Sequence, residues 1–252
     1  MAAPLVHWPQ GATANVEIFW RWLHIVSAIL WIGFLYFFNL VSTQFAAALD
    51  PGDRPRVLPR LMWRALNWFR WSSLIAVLSG FAYFGQIAGM EARNGNGNAG
   101  AFFLSWLVIW VVVWIIFYAL LRIGNKPLLY IGTAIMMIAA SWLFLRLNAH
   151  GWESNRSLSI GIGGGMGLFL LLNVWGIVWR ANKKILRWLE SEGQSAAAIP
   201  ANLTALARQS AITSRFSFYL TFFIIFFMGA ASHFPLFGAY RNRRRRRSPG
   251  IA

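Results

Sequence analysis

Four histidines stand in the sequence, His7, His24, His150 and His233. Two of them fall inside long apolar runs, His24 near the start of the first and His233 near the end of the sixth. An ionisable side chain in hydrocarbon is costly, and it marks a functional position whose partner must be found. An odd span begins, and an even span ends, on one side of a membrane, so both histidines belong to the same face whichever way the chain is inserted. Each lies within about 9 Å of a span end at 1.5 Å per residue. Small residues flank both: Ser27 and Ala28 follow His24 by three and four positions, and Gly229 and Ala230 precede His233 by four and three. Two imidazoles at one depth beside shallow helix faces point to non-covalent b-type haem, with His24 and His233 as its iron ligands. The competing reading is a histidine bonded to a neighbouring helix or to interfacial water. His7 and His150 are expected at the surface.

A second polar set gathers toward the opposite side. Asn39 closes the first run, Arg70 opens the second within Asn67-Trp68-Phe69-Arg70-Trp71, and Asn173 lies deep in the fifth, before Trp175, Trp179 and Arg180. An arginine beside amides and aromatic faces can hold a planar anion through paired hydrogen bonds and stacking, which makes Arg70, Asn39 and Asn173 candidate substrate-binding residues. Trp and Arg at span ends are equally ordinary interface anchors. This set stands about 20 Å from the histidines across a core of about 30 Å. With no cysteine in the chain, thiolate metal sites and covalent haem attachment are excluded. All seven acids lie at run ends or between runs, which argues against a proton pump that needs an acidic relay in the membrane. The glycine run Gly161 to Gly167 lacks the G-x-x-x-x-G-K-[ST] of a phosphate loop.

The elements that must position these residues are plain from composition. Of 252 residues 58% are hydrophobic, and only 12% are charged against about 25% in a soluble domain. Long apolar runs cover Ile18 to Val41, Trp71 to Ile87, Ala101 to Leu121, Leu128 to Leu145, Leu158 to Trp179 and Phe216 to Phe237. Each approaches the roughly 20 residues that cross a bilayer as helix. The expected fold is therefore all-α, a polytopic bundle of six transmembrane helices over 18–237, with an N-terminal tail over 1–17 and a basic C-terminal tail over 238–252. Breakers are expected at Asp50 to Pro59, Glu91 to Gly100 and Asn125-Lys126-Pro127, and close packing of spans one, five and six through Gly33, the glycine run and Gly229.

The net charge of +16 is read here as lipid-facing, with no nucleic-acid partner. The loops after spans one, three and five carry 13 Lys and Arg, against four on the other side before the tail. The positive-inside rule then puts those loops in the cytoplasm and both termini on the periplasmic side. The arginines from Arg243 to Arg247 argue the other way, and they also form an arm that could dock on an acidic partner. Met1 to Ala14 has no apolar run, so the first span is expected to act as its own membrane signal.

Several of these stretches resemble one known family. Trp22-Leu23-His24-Ile25, Trp31-Ile32-Gly33, Tyr36-Phe37-Phe38-Asn39, Trp68-Phe69-Arg70-Trp71, Asn173-Val174-Trp175 and Met228 to Pro235 are similar to the membrane domain of bacterial membrane-bound urate oxidases. The resemblance implies a bacterial inner-membrane location and a redox role, with His24, Asn39, Arg70, Asn173 and His233 as matched positions. In that family a cytochrome c domain takes the electrons; this chain has no C-x-x-C-H. An external cytochrome c or a quinone is then the expected acceptor. The alternative is a non-catalytic accessory subunit of a respiratory or photosynthetic membrane complex, docked through Arg243 to Arg247.

Overall fold

The computed structural model describes residues 9–191 and 199–237, and their secondary structure is helical without a strand. Six helices are long and apolar enough to cross a membrane: α1 (Ala12–Ala48), α2 (Arg54–Gly95), α3 (Ala99–Ile123), α4 (Lys126–Asn148), α5 (Asn155–Ser191) and α6 (Ala201–His233). The chain is a multi-pass membrane protein. His7, residues 192–198 and the tail with Arg243 to Arg247 lie outside the described residues.

The helices overrun the apolar runs at most ends because local capping, rather than hydropathy, stops them. The expected break at Asp50 to Pro59 is largely helix. Pro55 sits in the first turn of α2, where its missing N–H costs nothing, and Pro59 is carried inside the helix. At the far end α2 continues through Glu91 to Gly95 and stops at Asn96 in the left-handed region, φ 53°. Asn98, Asn125 and Ser154 then cap the starts of α3, α4 and α5 by accepting from Ala101, Leu128 and Ser157 backbone N–H groups. Only α6 ends earlier than its apolar run, at His233 rather than Phe237. Phe234 precedes Pro235 and is extended, which breaks the helix there.

Burial identifies α5 as the central helix: 67% of its most apolar window is inside the bundle, against 28–39% for the others. Its glycine run explains this position, though with other neighbours than expected. A Cβ at Gly161 would collide with the Phe144 ring of α4, one at Gly165 with the Trp110 ring of α3, and one at Gly163 would press on Phe227 of α6. Trp106 of α3 donates its indole N–H to the Gly161 carbonyl at 2.7 Å. Gly33 and Gly229 seat nothing, since a Cβ on either would meet no atom within 4 Å. The glycines therefore admit aromatic rings from α3 and α4 and the backbone-near part of α6, and α1 packs instead mainly along α2.

Two helices are interrupted by π turns, Phe37–Ser42 in α1 and Val174–Val178 in α5. Each follows or contains a buried asparagine, Asn39 in the first and Asn173 immediately before the second. π turns recur at functional positions because they redirect side chains beyond them.

Candidate functional site

The α1–α2 seam fixes His24. Its Nδ1 lies 2.7 Å from the Ala76 carbonyl oxygen of α2. A carbonyl only accepts, so Nδ1 carries the proton and Nε2 keeps its lone pair. The ring rests on Gly80, where a Cβ would stand 2.6 Å from Nδ1. Nε2 has no hydrogen-bond partner among the described residues. A locked tautomer with a free Nε2 is the arrangement seen when histidine serves as a metal ligand.

His233 is the last residue of α6 and is exposed. Its turn is held by Asn155 at the start of α5. The Asn155 amide donates to the carbonyls of Ala230 (3.1 Å) and Phe234 (3.0 Å), and its Oδ1 accepts from the N–H groups of Leu236 (2.8 Å) and Phe237 (2.9 Å). Helices α1 and α6 meet lower down and run antiparallel: Tyr36 Oη is 3.1 Å from Thr221 Oγ1, and Asn39 donates to Ser214 Oγ at 2.9 Å. From the Tyr36–Thr221 contact each histidine is about 18 Å along its own helix at 1.5 Å per residue, so the two stand at matching height. They do not touch: no hydrogen bond or ring contact joins them among the described residues, and His24 is turned toward α2.

Around the same end lies a charged group that sequence reading did not join to His24. Arg156 at the start of α5 bonds Tyr83 Oη of α2, lies over the Tyr83 ring at 5.1 Å, and reaches Glu17 of α1 at 3.4 Å. Glu17, Arg21 and His24 fall at helical spacing on α1, which is the signal that could have found it. Asn155 left no signal, because its partners are backbone groups of a distant turn. His150 is exposed, as expected, with Nδ1 3.4 Å from Glu153 Oε1.

At the opposite side Arg70 is stacked among tryptophans. Its guanidinium lies 4.0 Å from the Trp179 ring centre, 5.4 Å from Trp71 and 5.8 Å from Trp175, and Nη2 donates to Asn67 at 3.0 Å. Its Nε is buried with no acceptor among the described residues. Asn39 and Asn173 are not joined to it; both bond α6. Asn39 Nδ2 donates to the Leu35 carbonyl and to Ser214, and Asn173 accepts from Trp114 Nε1 at 3.1 Å and donates to Ser217 Oγ at 3.2 Å. No cluster of three or more metal-binding side chains occurs among the described residues.

The family model "Urate oxidase N-terminal" matches residues 52–243. The chain belongs to the urate oxidase N-terminal family. The match takes in α2 to α6 and with them Arg70, Asn173, Asn155 and His233, while His24 and Asn39 precede it on α1. The seat of His24, Ala76 and Gly80, thus falls inside the matched region and the imidazole outside it. No curated protein and no solved structure matches the chain.

Proposed function

We propose that the protein is a membrane redox carrier in which His24, with His233 at matching height on α6, ligates a b-type haem near the face that holds both histidines. The observation that carries this reading is the His24 imidazole, protonated at Nδ1 by its bond to the Ala76 carbonyl and free at Nε2. The residues fit the group. Gly229, one turn below His233, leaves open surface on α6, where a Cβ would meet no atom within 4 Å. Held by His24 and His233, the group would supply one-electron transfer. The chain's part is then to orient. Ala76 fixes the tautomer and Gly80 the ring plane, while Asn155 pins the turn that presents His233. Arg156 and Arg21 supply positive charge beside anionic groups at this face. An external cytochrome c or a quinone accepts the electrons.

Reduced-minus-oxidised spectra of the purified protein, expressed with ample haem, test the reading. A b-type band is expected in wild type and is lost in both His24→Ala and His233→Ala. Absence of any band in wild type refutes it, and loss in one variant only refutes the pairing.

A second reading concerns substrate. The buried, acceptor-less Nε of Arg70 favours an anion there, and the family relation makes a planar purine anion such as urate the natural candidate. The amides of Asn39 and Asn173 already bond inside the bundle, so in this reading Arg70 is the residue that binds and the two asparagines hold α6 in place. Urate binding by calorimetry should weaken about ten- to a hundredfold in Arg70→Lys, since a charged bidentate contact is worth about 1.5–3 kcal/mol. Equal binding in both proteins refutes it.

A further inference from the structure

On the face of the basic loops, α3, α5 and α6 enclose a cleft of about 510 Å³. That volume lies within the roughly 300–1,000 Å³ of small-ligand sites. Its polar lining is Tyr118 and Arg122 from α3, Arg180 and Lys184 from α5, and Gln209 from α6. Each pair is spaced four residues apart on its helix, so both helices present two polar groups to one space. Three cations and no carboxylate line it. Like charges in a shared concavity repel, and no described acid forms an ion pair with any of the three, the described ion pairs being His150–Glu153 and Arg156–Glu17.

The donors are arranged to receive oxygen atoms. Arg122 is held in place, donating from Nη2 to Tyr118 Oη at 2.7 Å and lying 4.8 Å from that ring's centre. Because Tyr118 Oη accepts from Arg122, its own O–H remains free to donate. Tyr118 in turn stacks on Trp114, at 5.6 Å and 15°, and Trp114 is bonded to Asn173. Gly176, in the π turn, makes room beneath: a Cβ there would stand 2.8 Å from the Trp114 ring. The α5 side is fixed by Asn182, which donates to Ser210 of α6 at 2.8 Å. The walls are thus braced, while the charged tips reach the aqueous boundary.

We infer that this cleft is a binding site for a phosphate-type oxyanion, held by Arg122, Arg180 and Lys184 with Tyr118 and Gln209 as neutral donors. Arginine forks and a lysine point charge match a tetrahedral oxyanion, whether inorganic phosphate or a lipid phosphate at the membrane boundary. The site is independent of the haem and of Arg70.

The full chain, solubilised in a maltoside detergent that carries no phosphate, is melted with inorganic phosphate against chloride at equal ionic strength. A second arm compares the maltoside micelle alone with the same micelle containing phosphatidylglycerol. Stabilisation in at least one arm is expected, the arm that responds naming the source. Arg180→Gln and Lys184→Gln should each raise the half-saturating concentration about ten- to a hundredfold, and Lys184→Arg should restore it. These side chains are exposed, and helical circular dichroism checks that the variants fold. No stabilisation in either arm overturns the inference, as does equal stabilisation of wild type and the Arg122→Gln, Arg180→Gln, Lys184→Gln triple variant.

Discussion

Gly80→Ala tests whether the seat of His24 is built. The added Cβ would stand 2.6 Å from Nδ1 and 2.8 Å from Cε1, where ordinary contact begins at 3.4 Å. The ring must retreat from α2 by about 0.8 Å, which stretches its 2.7 Å bond to Ala76 to about 3.5 Å, beyond a useful hydrogen bond. Leaving a buried donor and acceptor unpaired costs about 1–3 kcal/mol, or about 5- to 150-fold in any equilibrium that depends on the seated ring. Two assays read it: the thermal midpoint in detergent, and haem affinity from titration of the apoprotein followed in the visible band. In the thermal assay the effect should vanish in a His24→Ala background, where the new methyl group meets no imidazole, so the two substitutions form a cycle with a coupling of the same size. Equal loss from Gly80→Ala with His24 present or absent would refute the reasoning, because the glycine would then be needed only by the α1–α2 seam.

Other substitutions separate the roles further. Asn155→Ala removes four hydrogen bonds to the His233 turn and should weaken haem binding more than it lowers the melting temperature, with backbone exchange at Phe234 to Phe237 as the local readout. Trp179→Leu removes the nearest ring over Arg70 together with its edge contact to Trp63, and should lower thermal stability by about 2 kcal/mol or more, the cavity adding to the lost cation–π contact. Gly165→Val, driven into the Trp110 ring, should abolish folded protein on size-exclusion chromatography, while Gly33→Ala and Gly229→Ala, which meet open space inside a helix, should leave the melting temperature the same or raise it.

The number and type of spanning elements were legible because hydrocarbon thickness imposes a length and an apolar composition on each crossing. Their ends were not, since capping by Asn98, Asn125 and Ser154 outweighs hydropathy there. The glycine run was readable as a place of close approach, but its partners were not, because glycine records that something comes near without recording what. At the candidate site the histidines were found by their cost in the membrane, and their matching height by counting spans. The seat at Ala76 and Gly80 was hidden: a backbone carbonyl and a missing side chain leave no pattern that points to a residue on another helix.

The π turn in α5 links three of these features. A π turn accommodates one extra residue and turns everything beyond it by about 100° relative to an unbroken α-helix. Before the turn, Asn173 is bonded to α3 and α6; within and after it, Trp175 and Trp179 face Arg70 of α2 while Gly176, Arg180 and Lys184 face the basic cleft. Deleting Ile177 takes out that extra residue, so the helix should become continuous α with Trp179, Arg180 and Lys184 still on their present faces, and the glycine run and its aromatic rings stay in place. The variant should therefore keep the response to phosphate or phosphatidylglycerol, and it should also keep any haem band, since His24 and His233 lie toward the other face. Loss of the phosphate response alone would mean that the π turn itself, and not only the faces beyond it, shapes the cleft, whereas loss of both would mean that the two faces are one cooperative unit.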